Sequence, residues 1–291
     1  MAWGAQEHDA TSMSIPQTGL TGEFARLVVW LALLCAIFLP LERLASVRPQ
    51  RVLRREFATD LVWYFVNGLV AGLILGVPVA ALATWSRKLM PSGFLEWTGN
   101  LPIWVRVVAG FVVGDLGYYL YHRICHHVPW LWRFHAVHHS AQDMDFLVNT
   151  RAHPLDLVAG RLAGLVPLYL LGLAGPVGAK GTWVPIIIGL FGNFWGFFIH
   201  SNLRVRLGPI EWLLSTPSFH HWHHTQRGPI NRNFAAMVPG LDRLFGTHHN
   251  PPGQWPDSYG IEESMPDDVG GQLLDPFGSR KRTNAEPSTA S

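Results

Sequence analysis

All but one of the fifteen histidines fall between His122 and His249, and most stand in short blocks that repeat one spacing. His122 and His126 lie four residues apart, while His135, His138 and His139 form an H-x2-H-H block that recurs as His220, His223 and His224. Residues three and four apart share one face of a helix, so each block presents two or three imidazoles to the same side. Neutral imidazole ligates iron, zinc and copper, whereas magnesium and calcium sites want oxygen. Eight such histidines exceed what one tetrahedral ion accepts, so the spacing implies two metals. A cysteine-free nitrogen set beside apolar segments suits iron that binds and activates dioxygen better than a structural zinc site. His127 and His221 are rotated off these faces and are expected to support the site or lie at the surface. His248 and His249 are expected to be solvated, and His8 to have no role.

The elements that must position these blocks read as membrane helices. Only 14% of the 291 residues are charged and 48% are hydrophobic, with thirteen Trp and sixteen Phe. A soluble protein is about one quarter charged, and aromatic residues concentrate at bilayer interfaces. Residues 61–85 run without a single charge, enough to span ~30 Å of hydrocarbon. Further apolar stretches cover 24–41, 103–121, 157–172 and 183–199, giving five expected spans, the shorter ones open to a reading as buried or re-entrant helices. Residues 1–23 lack Lys and Arg, so they do not read as a cleavable signal peptide.

Arg43, Arg48, Arg51, Arg54 and Arg55 crowd the connection after the first span, which the positive-inside rule places in the cytoplasm. Counting spans from there puts the N-terminus outside and every histidine block on the cytoplasmic side. The expectation is an all-α integral membrane protein, a bundle of about four to five transmembrane helices with a cytoplasmic histidine-rich helical cap holding a dimetal centre. Residues 1–23 form an expected flexible leader, 24–256 one membrane domain with a helical hairpin turning near 175–181, and 270–291 an expected disordered tail. Net charge of +2 and the absence of a basic run argue against nucleic acid. Cys35 and Cys125 are expected to be free thiols.

These residues resemble the fatty acid hydroxylase/sterol desaturase superfamily of integral membrane di-iron oxygenases. Asp115-Leu-Gly-Tyr-Tyr-Leu-Tyr-His122-Arg123 with His126, then Phe134-His135-Ala-Val-His138-His139-Ser140, look like its first two motifs. His200-Ser201-Asn202-Leu203-Arg204, Thr216 through His224, Asn233-Phe234-Ala235 and Leu241 through Thr247 look like the later ones. The similarity runs from about Arg54 to Thr247. Leu241 stands where many members carry Trp, and Arg204 stands where some carry a further histidine. The resemblance implies a ligand set of His122, His126, His135, His138, His139, His220, His223 and His224. It adds His200, and it adds His153 as the ligand that Arg204 cannot supply.

Asp115 lies two helical turns before His122 inside an apolar span, and an intramembrane carboxylate is a functional candidate. It is read either as the acceptor that orients a ligand imidazole or as an ion-pair partner of Arg161. Asn193, seven residues before His200, is a weaker candidate for the same orienting work. Tyr118, Tyr119 and Trp195 are expected to line the bundle or a substrate path.

The activity implied is an O2-dependent hydroxylation or desaturation of a lipid C–H bond, on a sterol, hopanoid, fatty acyl, carotenoid or alkylglycerol-type substrate. The cofactors implied are two iron ions, and zinc can occupy such nitrogen sites in purified protein because it competes well for imidazole. No haem-attachment motif, dinucleotide fingerprint or iron–sulfur cysteine set is present, so electrons are expected from an external reductase or small redox carrier. The rival reading is a divalent-metal transporter or sensor built on the same histidines. A transport site belongs at the membrane midplane in broken helices, whereas these blocks fall at helix ends.

Overall fold

The computed structural model describes residues 19–174 and 183–278. The expected turn near 175–181, most of the expected leader, and residues 279–291 of the expected tail lie outside the described residues. Ten α-helices occur among those described: α1 (Leu20–Leu44), α2 (Phe57–Leu89), α3 (Ser92–Gly99), α4 (Ile103–His127), α5 (Pro129–His139), α6 (Pro154–Leu170), α7 (Trp183–His200), α8 (Pro217–His223), α9 (Gly240–Leu244) and α10 (Val269–Leu274). Short 3-10 turns cover Phe146–Thr150, Gly208–Trp212 and Asp275–Phe277. No strand forms among the described residues; Ser46–Leu203 and Thr225–Tyr259 are isolated bridges.

Three helices, α1, α4 and α7, are long and apolar enough to cross a membrane, and α2 makes a fourth if its halves, Phe57–Val70 and Leu73–Leu89, bent by 41°, count as one span. The remaining expected span, 157–172, falls in α6, at the short end of what crosses a bilayer. Its 17 residues measure about 26 Å at 1.5 Å per residue, against ~30 Å of hydrocarbon. Pro154 starts it at a first-turn position, where the missing N–H costs nothing. Gly172, at φ 69°, stops it: its N–H bonds the Tyr169 carbonyl while Leu173 N–H bonds Leu168. That paired closure is the glycine-dependent Schellman end of a helix.

The core places α4 between α6 and α7. Gly117 lets α4 and α6 meet backbone to backbone, since a Cβ there would lie 2.2 Å from the Ala163 carbonyl oxygen. Close approach through small residues is how membrane helices pack, because lipid offers no hydrophobic drive between them. A second core joins Leu27, Leu34 and Phe38 of α1, Tyr64 of α2, Phe146 and Leu147, and Phe197 of α7. Large apolar side chains such as Val29, Leu33, Leu73, Val77, Val108 and Leu190 stay exposed on the outer faces, where a bilayer would cover them.

One arginine of the basic connection does not face solvent. Arg54 is buried, donates to both oxygens of Asp145 at 2.7 and 2.9 Å and pairs with Asp60. Asp60 and Glu56 in turn receive Arg151 at 2.5 and 3.0 Å. This buried network ties the connection before α2 to the segment between α5 and α6.

Part of the expected disordered tail lies in regular elements. Residues 270–278 are ordered through α10 and the following turn. Gln272 is buried and accepts the Trp63 indole N–H at 2.7 Å, and Phe277 packs edge-on against Phe134.

Candidate metal centre

Nine histidines converge at one end of the bundle in two adjoining groups. The first holds His122, His126, His135, His139 and His223, and the second His138, His200, His220 and His224. Within each group one nitrogen per ring lies within 4.8 Å of every other. α4 and α7 deliver His122, His126 and His200 near their last turns, while the short helices α5 and α8 supply the rest. Both short helices open on proline, at Pro129 and Pro217, which presets the first turn.

Each H-x2-H-H block divides between the groups. In α5, His135 and His139 join the first group and His138 the second; from α8, His220 and His224 join the second and His223 the first. The i,i+4 pair of each block stays together, and the third histidine crosses over. Both groups therefore draw on both blocks.

The hydrogen bonds fix which nitrogen faces inward. Nδ1 of His122 contacts the Phe234 carbonyl at 2.7 Å, His126 the Asn231 side-chain oxygen at 3.0 Å, and His223 the Arg232 carbonyl at 2.8 Å. His135 Nδ1 meets Asp156 at 3.0 Å, His138 the Arg151 carbonyl at 2.9 Å, and His200 the Gly196 carbonyl at 2.7 Å. All six partners are acceptors, so Nδ1 carries the proton and Nε2 keeps its lone pair. Anchoring one ring nitrogen to a carbonyl or carboxylate is how proteins orient metal-binding imidazoles.

Those lone pairs then face one another. His122 Nε2 stands 2.9 Å from His135 Nε2, and His138 Nε2 stands 3.2 Å from His200 Nε2. Nε2 of His139 lies 3.1 Å from that of His135, and Nε2 of His220 lies 2.9 Å from His200 and 3.1 Å from His224. Facing lone pairs repel unless a cation lies within reach of both. Two nitrogens each about 2.1 Å from one ion stand about 3.0 Å apart at a right angle and about 3.4 Å apart at the tetrahedral angle. The observed separations sit near the right-angle value, and five nitrogens exceed a tetrahedral set. Nε2 of His126 and His223 is buried without a partner. Buried orphan nitrogens are costly and demand a reason; a metal ion supplies it, and the donor set fits one in each group.

Burial holds the His139, His220, His223 and His224 imidazoles well below the ordinary histidine range, with further lowering by neighbouring rings. For the same reason His138 is pushed down to about 4. Neutral rings at neutral pH are what metal ligation requires.

The remaining candidates divide. His153 lies outside both groups: it caps α6, with Nδ1 accepting from Leu155 N–H, Nε2 3.3 Å from the Leu273 carbonyl and its ring between Phe134 and Phe277. Asp115 orients no imidazole directly and does not pair with Arg161. It accepts from the backbone N–H groups of Ala236, Met237 and Val238 at 3.0, 3.1 and 2.6 Å. Asn193 lies on the exposed side of α7, away from the orienting contacts. Tyr118 packs beside His122 with ring centroids 5.1 Å apart, Tyr119 bonds Thr247 and packs on Phe234, and Trp195 bonds Ser215.

His221 is fully buried, bonded to Tyr259 and to the Ser201 carbonyl, which corrects the surface alternative. His127 is exposed, with Nδ1 on the Arg123 carbonyl. His248 and His249 are half-buried rather than solvated, His249 through backbone bonds with the Asn233 side chain.

Asp156 escaped the sequence reading. It takes His135 Nδ1 on one oxygen and the Tyr121 hydroxyl, at 2.6 Å, on the other. The signal available was an acidic residue in the first turn of a helix after a histidine block, which is common for helix-dipole reasons alone.

Comparisons with known proteins match the segment of chain that carries this site. Residues 107–247 match the fatty acid hydroxylase family. The chain is 36% identical to the ornithine lipid hydroxylase OlsE of Rhizobium tropici over 204 residues, covering 69% of this chain and 59% of that protein. It is 32% identical over 155 residues to the alkylglycerol monooxygenase of Xenopus tropicalis, covering 53% of this chain and 32% of that protein. It is 29% identical over 182 residues to the very-long-chain aldehyde decarbonylase GL1-5 of Oryza sativa subsp. indica, covering 56% of this chain and 29% of that one. The chain thus spans less than two thirds of the length of these relatives. No solved structure matches it. The matched segment runs from within α4 through the last histidine block to Thr247, and with these relatives it makes the chain a member of the fatty acid hydroxylase/sterol desaturase superfamily.

Proposed function

We propose that this protein is a membrane-bound, O2-dependent di-iron enzyme that oxidises a C–H bond of a lipid. The observation that carries the reading is the pair of adjoining nitrogen groups, with inward lone pairs 2.9–3.2 Å apart and outer nitrogens anchored on oxygen acceptors. His122, His126, His135, His139 and His223 would hold one iron, and His138, His200, His220 and His224 the other. His200 thereby joins the eight block histidines, and His153 is left outside the set. When bound, the two irons supply the reduction of dioxygen and the oxidising power for hydrogen removal, which no side chain here provides.

The protein's own residues do the rest. Phe234 and Arg151 hold ligand rings through backbone carbonyls, and Asp156 holds His135 through its carboxylate. Buried Phe234 packs against the rings of His122, His126 and His223 and keeps water from that side of the centre. With its histidines near the last turns of α4 and α7, the site would lie at the membrane boundary, where a lipid's reactive carbon can arrive without leaving the bilayer.

The relatives named for an ornithine lipid and for alkylglycerol favour an acylated or ether-linked membrane lipid over a free soluble acid. Two electrons per turnover would come from an external reductase or small redox carrier on the histidine-bearing side. By the positive-inside rule that side is cytoplasmic and the N-terminus lies outside. The test is to incubate iron-reconstituted protein with host lipid extract, a reductase and 18O2, and to follow the lipids by mass spectrometry. A lipid gaining one labelled oxygen or losing two hydrogens supports the reading. An unchanged lipidome, with iron bound and zinc or iron carried across proteoliposome membranes, would favour transport.

A further inference from the structure

One loop orients three of the five histidines in the first group and none in the second. Asn231 offers its side-chain oxygen to His126, Arg232 its carbonyl to His223, and Phe234 its carbonyl to His122. The second group's anchored rings instead rest on the carbonyls of Arg151, behind the buried ion network, and Gly196, inside α7. The two groups touch, yet they are supported from different parts of the fold.

The loop is built for holding oxygen atoms in place. Asn231 and Asn233 both adopt φ 59°, a left-handed conformation that asparagine tolerates better than other side chains. Two buried carboxylates grip its backbone: Asp242 accepts from Phe234 and Ala235 N–H at 2.8 and 2.9 Å, and Asp115 accepts from the next three N–H groups. Thr247 reinforces Asp242 at 2.6 Å. Asn233 and Ser215 link the same loop to the segment bearing α8, which feeds both groups. A selective test must therefore avoid those two residues.

We propose that the 231–238 loop is a positioning element for the first metal position alone, so that the affinities of the two positions are set separately. This rests on the ligand assignment proposed above. Asn231 is the residue to change, because its side chain is bonded to His126 and it lies at the surface. Asn231→Gly keeps the left-handed backbone and removes the acceptor, whereas Asn231→Asp keeps both.

The measurement is an anaerobic titration of the full-length, detergent-solubilised apoprotein with Fe2+ against a competing chelator, alongside its melting temperature without metal. Two sites are expected in the wild type. Asn231→Gly should weaken one site by about 10–100-fold, the usual cost of losing an orienting partner, leaving the other site and the metal-free melting temperature unchanged. Asn231→Asp should restore the wild-type titration. Equal weakening of both sites, or no change at either, would overturn the proposal. A wild-type protein that binds no iron would instead sink the ligand assignment, and a metal-free melting temperature lowered in Asn231→Gly would show a structural role for Asn231.

Discussion

The rings of His139 and His224 stack face to face, centroids 4.4 Å apart and planes 24° apart, and each belongs to a different nitrogen group. This contact joins the two groups into one centre and joins α5 to the residue that ends α8. It also follows from the crossover of the blocks: His138 reaches away from His135 and His139 to the second group, and His223 reaches the other way.

Substituting either partner of this stack should remove one ligand from one position only. His139→Ala and His224→Ala are each expected to hold about one metal per chain and to lose ~100-fold or more in lipid oxidation, since even an orienting partner is worth 10–100-fold. Elemental analysis and turnover on the same preparations check this. Two metals retained in either variant would remove that histidine from the ligand set.

Asp156 is expected to act on metal affinity more than on folding. Asp156→Asn leaves a side chain of the same size beside His135 and Tyr121 but takes away the negative charge that favours the Nδ1–H tautomer. Metal affinity should fall by about 10–100-fold, as read by chelator competition, with the helical circular dichroism unchanged.

His221 supplies a pH dependence whose sign can be worked out. Burial pushes its pKa down to about 3, against 6.5 when exposed. Below 6.5 the unfolded chain takes up a proton that the folded chain refuses, so stability falls as pH drops from about 6.5 toward 3. The slope from this one group is about 1.4 kcal/mol per pH unit. In metal-free protein, His221→Gln should therefore show an acid-destabilisation slope shallower by one proton than wild type. Identical slopes in denaturant titrations at pH 6 and pH 5 would contradict this.

The buried ion network and the exposed pair beside it should differ sharply. Arg54→Met leaves Asp60 and Asp145 buried without their cation and should cost about 3–5 kcal/mol. Asp267→Asn breaks the pair with Arg55, whose side chains are both 73% exposed, and should cost no more than about 1 kcal/mol. Chemical unfolding in detergent micelles compares the two.

The histidine blocks were legible because an i,i+4 spacing means one helix face whatever the fold around it. How the blocks divide was not legible, because the direction taken by His138 and His223 depends on how α5 and α8 meet. Asp115 announced itself as costly in an apolar helix, but its partners are backbone N–H groups more than 120 residues on, and backbone donors leave no mark in sequence. His153 looked like a ligand by resemblance, yet it precedes Pro154 and does the work of a helix cap. The 157–172 stretch reads as a span, and Pro154 and Gly172 bound its helix to 17 residues, at the short end for a crossing. The ordered residues 270–278 form elements too short to show periodicity, and only the Trp63–Gln272 bond reveals their place.

The central claim is that the two nitrogen groups hold iron that oxidises lipid, and it is tested most directly by metal and oxygen measured together. Full-length protein, purified without oxygen and reconstituted with iron, should carry about two irons per chain and consume dioxygen only when both a reductase and a lipid extract are supplied. Correctly folded protein that binds no metal at all would contradict the account.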